Sequence, residues 1–372
     1  MIAFSALPKP ERRIVFYSEG KSYWVHLEGI LKQLLEISNI PISYISSSTD
    51  DPGLSYQHAN LRCFETDEGW IRNWLFENID ADIVVMTMPD LETFQIKRSK
   101  KPVHYIYVQH SLVSLHMAYR EHAFDHFDTI FCAGPHHVRE VRAIEENYSL
   151  APKNVVEHGY GRLDSIIAEA SRRSPRARQS DSPVHVLIAP SWGESMIVES
   201  VGDVLVETLL SSGYQVTLRP HPQTAKLAKE KLDKIVQRHQ SNPLFAIELN
   251  VATQDSLQQS DVMISDWSGA AQDFAFGLQK PVLFIDMPRK VNNPNYQRLN
   301  VEPFESWIRD QIGIVLARND TKDTPDAIAE LVSNPTFSIN RFNEIRGANV
   351  FNVGASGQVG AQEILKILDH PD

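Results

Sequence analysis

The chain alternates short apolar runs with longer stretches in which apolar residues recur every three or four positions. The short runs are typical of buried strands and the longer stretches of amphipathic helices. In the first half we expect strands at Arg13–Tyr17, Pro41–Ser46, Asp82–Thr87, Val103–Val108 and Thr129–Cys132, and helices at Trp24–Ile37 and Pro135–Glu146. A strand followed repeatedly by a helix predicts a parallel sheet with helices on both faces.

The same alternation returns after a polar interruption. Residues 171–183 are rich in Ser, Arg and Pro, so we predict a linker between an N-terminal domain of residues 1–170 and a C-terminal domain of residues 184–372. In the second domain we expect strands at Val184–Ala189, Tyr214–Leu218, Phe245–Leu249, Asp261–Ile264 and Pro281–Ile285, and helices near Val201–Ser212, Ala225–His239 and Ala270–Leu278. A last helix near Gly357–Leu368 could pack back on the first domain.

Composition narrows the class of protein. The chain has 372 residues, of which 42% are hydrophobic and 22% charged, as in a globular protein of two domains. Its net charge of −11 argues against a general nucleic-acid binder. Two cysteines, no signal-peptide pattern and no apolar run of membrane-spanning length predict a cytoplasmic protein. The basic run Arg172–Arg178 leaves peripheral contact with the inner face of a membrane open, although a solvated linker explains it more simply.

Two polar segments follow predicted strands of the second domain. Arg219–Pro222 ends the strand Gln215–Leu218, and Val262–Ile264 runs into the serine-rich turn Ser265–Ala270 before a helix. Open α/β sheets bind ligands at the carboxyl ends of their strands, and the free N–H groups at a helix N-terminus suit a phosphate. The pair therefore predicts a site for a phosphate-bearing donor. Taken singly, each segment could be only a rigid turn or a helix cap.

These segments also carry a resemblance to a known family. RPHP at 219–222 and SDWSGAAQDFAFGLQKPVLFID at 265–286 resemble motifs of the CDP-glycerol glycerophosphotransferase family, the teichoic-acid polymerases and primases. IAPSW at 188–192, GYGRLDSI at 159–166 and, more weakly, Gln109–Leu112 are similar to further motifs of that family. The resemblance implies the GT-B fold, in which two Rossmann-like domains face a cleft that holds the substrates.

The resemblance and the strand ends together define a candidate donor site. Arg219 and His221 would face the donor, because phosphoryl transfer depends on neutralising the charge of the transferred and leaving oxygens. The remaining candidates follow two other strands of the second domain: Ser191, Trp192, Ser265, Asp266, Ser268, Gly269 and Asp273. Ser265, Ser268 and the Gly269 N–H would hold the diphosphate. For Asp266, Trp192 and Asp273, helix capping, core packing and helix stabilisation are the competing interpretations.

His110 is the catalytic candidate of the first domain. It follows the strand Val103–Val108, at a carboxyl edge, and a neutral imidazole can take the proton of an acceptor hydroxyl. A loop histidine bonded to the backbone is the alternative. Half of the chain's 14 histidines lie between 104 and 137, and His122 and His126 have the spacing of two ligands on one helix face. No further metal motif accompanies them, so we expect no metal site and no required cofactor, with magnesium at most stimulating the reaction.

The function that these observations favour is transfer of glycerol phosphate, or a related polyol phosphate, from a CDP-linked donor. The acceptor would be a saccharide or a polyol phosphate, free or lipid-linked, and CMP would be released during synthesis of a cell-surface polymer. A GT-B glycosyltransferase using a nucleotide sugar is the first alternative, and an epimerase of nucleotide sugars or a non-catalytic nucleotide-binding module are others. Neither a Walker loop nor a GxGxxG fingerprint occurs, which argues against the usual NTPases and dinucleotide enzymes.

Overall fold

In the computed structural model the chain forms two compact α/β units. The structure describes residues 2–173, 182–250 and 254–370. Unit 1 consists of Met1–Ser165, Val291–Val301 and Asn349–Asp372, and unit 2 of Ile166–Lys290 and Glu302–Ala348. The predicted linker at 171–183 and the basic run Arg172–Arg178 lie mostly outside the described residues.

Unit 1 contains one parallel sheet of seven strands in the order β3-β2-β1-β4-β5-β6-β7. The strands are β1 (Ile14–Ser18), β2 (Ile42–Ser46), β3 (Leu61–Glu65), β4 (Ile83–Met86), β5 (His104–Val108), β6 (Thr129–Cys132) and β7 (Asn154–Glu157). The helices are α1 (Ile2–Ser5), α2 (Lys21–Ile37), α3 (Trp70–Asn78), α4 (Leu115–Ala118), α5 (Pro135–Tyr148) and α6 (Gly161–Arg172), which runs on into unit 2. β1, β2 and β4 are buried along their whole length, as a sheet covered on both faces requires.

Unit 2 repeats this plan with six parallel strands in the order β10-β9-β8-β11-β12-β13. The strands are β8 (His185–Ile188), β9 (Gln215–Leu218), β10 (Phe245–Ile247), β11 (Val262–Ser265), β12 (Val282–Asp286) and β13 (Gly313–Ala317). The helices are α7 (Ile197–Ser200), α8 (Gly202–Ser211), α9 (Pro222–Leu227), α10 (Lys229–His239), α11 (Asp255–Gln259), α12 (Ala270–Leu278), α13 (Phe304–Trp307), α14 (Arg309–Ile312), α15 (Thr324–Ser333) and α16 (Ile339–Asn349).

Each sheet has one point where the strand order reverses. In unit 1 the first strand pairs with β2 on one side and β4 on the other, and in unit 2 β8 pairs with β9 and β11 in the same way. Doubly wound sheets bind their ligands in the crevice outside the carboxyl ends of the strands at such a reversal. The topology therefore directs attention to the loops after β1 and β4, and to those after β8 and β11.

The C-terminal helix α17 (Ser356–Asp369) belongs to unit 1, where it packs on α2. The two helices approach closely at a pair of glycines: a side chain on Gly357 would lie 2.7 Å from the backbone of Gly29. Asp164 fixes the start of α17, because its carboxylate accepts hydrogen bonds from the Ser356 hydroxyl and from the Gly354 N–H. The aspartate of the GYGRLDSI segment thus has a structural partner.

The sequence pattern located the central strands and overlooked three at sheet edges. β3, β7 and β13 are each the last strand on their side of a sheet. An edge strand is covered less completely, and β7 has only two apolar residues and none that is fully buried. The helix predicted at Ala225–His239 is two helices, α9 and α10, because Ala228 between them adopts a non-helical backbone conformation (φ −123°, ψ 30°).

Candidate active site

Three loops of unit 2 meet at the carboxyl edge of its sheet. In the parallel register Ile188 of β8 stands opposite Leu218 of β9 and opposite Ile264 of β11. The segments that follow these strands are therefore neighbours: Pro190–Gly193, Arg219–Pro222 and the turn of residues 265–269. The structure thus brings the motif segments of the second domain to one edge, as the sequence predicts from their positions at strand ends.

Asp266 joins two of these loops. It is 1% exposed, and one carboxylate oxygen accepts a hydrogen bond from the Ser191 N–H (2.7 Å) while the other accepts one from the Ile197 N–H (3.4 Å). Burial raises the pKa of Asp266, and these N–H groups oppose the rise. Ser265 is also buried, and its hydroxyl donates to the Ala189 carbonyl (2.9 Å). A contact of the Ser265 hydroxyl with a phosphate would have to replace that bond.

Trp192, His221 and Lys290 form a small cluster beside these loops. The rings of Trp192 and His221 have centroids 6.1 Å apart, and the Lys290 ammonium lies 4.0 Å from the centroid of the Trp192 ring. Burial lowers the pKa of Lys290 to about 8, and the charge of Asp266 opposes part of this effect. At pH 7 Lys290 is therefore mostly a cation, held over an indole and available to an anion.

The environment of His221 determines which of its ring nitrogens carries the proton. It caps the N-terminus of α9, and its Nδ1 accepts a hydrogen bond from the Gln223 N–H (3.1 Å). Burial and the nearby Lys290 charge lower the pKa of His221 to about 4. A neutral ring that accepts at Nδ1 carries its proton on Nε2. His221 thus suits hydrogen-bond donation to a phosphate oxygen near pH 7.

The other donor-site candidates have mixed surroundings. Ser268 and Gly269 are partly exposed before α12, and the Ser268 hydroxyl accepts from the Ala270 N–H (3.3 Å). Asp273 is 5% exposed within the helix. Arg219 is buried, with its guanidinium 3.2 Å from the Ser256 hydroxyl and 3.9 Å from the Glu248 carboxylate. These contacts give Arg219 a structural environment in addition to the donor role predicted for it.

His110 lies at the carboxyl end of β5 in unit 1. Its Nδ1 is 3.0 Å from the Tyr107 hydroxyl and its Nε2 is 3.3 Å from the Tyr119 hydroxyl, while the Tyr160 hydroxyl donates to its carbonyl oxygen. Burial lowers the pKa of His110 to about 4, and a hydrogen bond with the Thr87 backbone opposes this effect. The ring is therefore neutral at pH 7, the form that a general base requires.

The other histidines of the 104–137 segment mostly have structural partners. The Nε2 atoms of His136 and His137 lie 2.9 Å and 3.0 Å from the carbonyl oxygens of Leu112 and Val113, and that of His104 lies 2.8 Å from the Thr129 hydroxyl. Within the ranges that the structure describes, no group of three or more His, Cys, Asp or Glu side chains is arranged to hold a metal ion.

Comparison with known proteins decides the family. Residues 72–312, more than half of the chain, match the family described as CDP-glycerol:poly(glycerophosphate) glycerophosphotransferase. The chain belongs to this family. The resemblance inferred from the motifs is confirmed, and so is the expectation that the protein is an enzyme of the glycerophosphotransferase class. No protein with a curated description matches the chain.

Solved structures of low sequence identity confirm the fold class. The wall teichoic acid polymerase TagF is 15% identical, with a TM-score of 0.63 over 97% of this chain and 90% of that one. UDP-GlcNAc 2-epimerase from Methanocaldococcus jannaschii is 14% identical, with a TM-score of 0.56 over 96% and 99%. Sucrose-phosphate synthase from Thermosynechococcus elongatus is 13% identical, with a TM-score of 0.55 over 96% and 99%. The chain thus has the two Rossmann-like domains expected from the sequence.

Lys290 is the residue of this site that the sequence interpretation missed. It follows β12, which pairs with β11, so its loop starts from the same sheet edge as the Ser265–Gly269 turn. A position just after a strand was the available signal, but Lys290 belongs to none of the motifs that carried the resemblance.

The helices of the described ranges are all too short or too polar to cross a bilayer.

Proposed function

We propose that the protein transfers glycerol phosphate, or a related polyol phosphate, from a CDP-linked donor to a saccharide or polyol-phosphate acceptor and releases CMP. Membership of the glycerophosphotransferase family supports the reaction class. The fold shared with TagF, whose structure was solved after a soak with CDPG, supports a role in teichoic-acid-like polymer synthesis. The observation that carries the proposal is the cluster of Trp192, His221 and Lys290, because it gathers a cation and an N–H donor for a diphosphate.

The chemistry is a single displacement at phosphorus. The acceptor hydroxyl oxygen forms a bond to the phosphorus that carries the glycerol, and the bond from that phosphorus to the bridging oxygen breaks. CMP leaves with the bonding electrons, and the hydroxyl proton passes to a base. We assign the base to His110, whose imidazole is neutral at pH 7. Lys290 and the Nε2–H of His221 would stabilise the charge that develops on the leaving diphosphate oxygens.

Nucleotide release from defined donors tests the reaction. The purified protein is incubated with CDP-glycerol, CDP-ribitol, a CMP-sugar and a UDP-sugar, each with an acceptor, and the released nucleotide is measured. We expect CMP from a CDP-polyol, and a loss of about 100-fold or more in turnover for His221→Ala. His126→Ala, which alters an exposed histidine, is the matched control. Release of UDP from the UDP-sugar alone would instead identify a nucleotide-sugar glycosyltransferase.

The acceptor is proposed to be lipid-linked and the protein to work in the cytoplasm, at the inner face of the membrane. This proposal is based on the basic run Arg172–Arg178, because clustered arginines attract anionic lipid head groups. Co-sedimentation with vesicles containing anionic lipid tests the contact. Binding that does not fall when the four arginines of this run are replaced by glutamine would rule out this attachment.

A further inference from the structure

Unit 1 has a cavity at the reversal point of its own sheet. The cavity has a volume of about 320 Å³ and is lined by Glu19 after β1, by Asp90 after β4, by Arg72 of α3 and by His110. Doubly wound sheets place ligands at this position. Asp90 has a left-handed backbone (φ 65°), a conformation that costs energy in a residue with a side chain and often marks a functional site. The donor-site residues discussed above belong to unit 2 and do not line this cavity.

Glu19 is directed toward this cavity by a sharp turn. Gly20, the residue after it, has φ 139°, and a side chain there would lie 2.7 Å from Ser48. The Oε2 atom of Glu19 is buried and has no hydrogen-bond partner among the described residues. A buried polar oxygen without a partner is costly, and a ligand hydroxyl could satisfy it.

Arg72 presents a buried charge to the same space. It is 7% exposed, and its guanidinium donates to two neutral oxygens, those of Gln95 (3.1 Å) and Asn73 (3.3 Å). Burial raises the pKa of Glu19, and the charge of Arg72 opposes this rise. A buried cation is stable when an anion and several hydrogen bonds compensate it, so the arrangement suits an anionic ligand.

The remaining carboxylate of the cavity is already paired. Asp90 accepts a hydrogen bond from the exposed guanidinium of Arg120 (2.9 Å), which also lies 4.2 Å from the centre of the Phe94 ring. Arg120 and Asp90 thus neutralise each other, which leaves Arg72 and Glu19 as the two groups that a ligand can satisfy. A polyol phosphate offers both an anion and hydroxyl groups. A neutral saccharide offers only hydroxyl groups and would add no negative charge beside the Arg72 guanidinium.

We propose that this cavity is the acceptor subsite and that it selects a polyol phosphate, with Arg72 bound to the acceptor's phosphate and Glu19 to one of its hydroxyl groups. This inference rests on the proposed function, because it identifies the acceptor of the same reaction. Glu19 precedes residues 72–312, which carry the family match. Burial raises the pKa of Glu19 to about 7, so the carboxyl adds less repulsion toward a phosphate than a fully ionised group would.

Equilibrium binding tests the subsite independently of the donor. Glycerol 3-phosphate is titrated calorimetrically into the full chain, with glycerol and inorganic phosphate as separate probes. We expect glycerol 3-phosphate to bind more tightly than either probe. Arg72→Gln should weaken its binding by about 10-fold or more, and Glu19→Gln by a smaller factor, since each removes hydrogen bonds that involve a charged group. Arg62→Gln and Glu65→Gln change exposed residues of β3 that do not line the cavity, and they serve as matched controls with unchanged binding.

Transfer kinetics at saturating CDP-glycerol provide the second measurement. For Arg72→Gln we expect a raised KM for a polyol-phosphate acceptor with little change in donor affinity, and no such effect with a neutral saccharide. If Arg72→Gln does not fold, Arg72→Lys keeps the charge but loses the planar fork and should still weaken glycerol 3-phosphate binding several-fold. Wild-type binding by the folded Arg72 variant, or preferential use of a neutral saccharide, would overturn the inference. If the protein transfers nothing from any CDP-linked donor but glycerol 3-phosphate binds as expected, the proposed function is wrong and the cavity is still an anion-binding site.

Discussion

The raised pKa of Glu19 makes a quantitative prediction about stability. Burial raises this pKa from 4.5 to about 7, although the charge of Arg72 lowers it. A carboxyl that holds its proton more tightly in the folded state than in the unfolded state favours folding at low pH. Its contribution is fully present below about pH 4.5 and is lost as the pH rises through 7. The gap corresponds to about 3 kcal/mol, and since Glu19 keeps some exposure we expect about 2 kcal/mol to be lost between pH 5 and 8.

Glu19→Gln isolates this contribution because glutamine does not titrate. The free energy of unfolding of the wild type should fall, relative to that of the variant, by about 2 kcal/mol between pH 5 and 8. The charged groups that affect Glu19 are Arg72, Glu68 and Asp90, and all of them remain in the variant. Differences between the two proteins therefore report Glu19 and cancel the titration of the rest of the chain.

The assay must follow unit 1 separately, because proteins with two domains need not unfold in one step. Hydrogen exchange of peptides from β1 and β4, measured by mass spectrometry at increasing urea, reports the opening of this unit. Glu65→Gln, which changes an exposed carboxyl that does not affect the pKa of Glu19, is the control and should follow the wild type at both pH values. An equal difference between wild type and Glu19→Gln at pH 5 and at pH 8 would refute the reasoning and show that Glu19 ionises without penalty in the fold.

Four further predictions concern the reaction. His110→Ala should lower turnover, measured as CMP release, by about 10²–10⁴-fold and leave donor affinity little changed. His126→Ala should keep the turnover of the wild type. Lys290→Ala should weaken CDP-glycerol binding about 10-fold by calorimetry, while the exposed Lys234→Ala should leave it unchanged. Ser268→Ala should cost about 1.5–3 kcal/mol of donor binding if its hydroxyl bonds a phosphate, and unaltered affinity would exclude that bond. Activity should survive dialysis against a chelator, and a loss restored by one metal would reopen the histidine segment as a metal site.

The sequence was most informative where strands are buried on both faces. Central strands such as β4 and β8 are buried along their whole length and consist mainly of apolar residues, so their position and the polar segments after them could be predicted. The edge strands β3 and β7 are only partly covered, and their composition does not distinguish them from loops. The pattern of apolar residues along a strand reflects how much of the strand is buried, and strands at the edges of a sheet are buried least.

The sequence predicted which loops of the site converge. It did not predict which side-chain atoms in these loops face a ligand. Ser265, Asp266 and Ser268 are close in sequence, yet the Ser265 hydroxyl and the Asp266 carboxylate bind the loop after β8, while Ser268 stays partly exposed. This division depends on the register of β8 and β11, which no local pattern encodes. Lys290 was overlooked for a related reason, because its contact with Trp192 joins segments almost 100 residues apart.

Because the two sheets share one strand order, the position of Glu19 after the first strand of unit 1 could have marked it as a candidate site residue from the sequence. In unit 2 the first strand, β8, leads into Ser191 and Trp192, and the equivalent position after β1 in unit 1 is held by Glu19. Both lie at a reversal of strand order, where the topology leaves a crevice. The two crevices differ in charge: the loops of unit 2 bring together Lys290 and the neutral His221 ring, whereas unit 1 combines the Glu19 carboxyl with the Arg72 guanidinium. A cation and an N–H donor suit a diphosphate, but a carboxyl beside a guanidinium suits a ligand with both hydroxyl and anionic groups. This difference in charge is the reason for proposing the donor site in unit 2 and the acceptor subsite in unit 1.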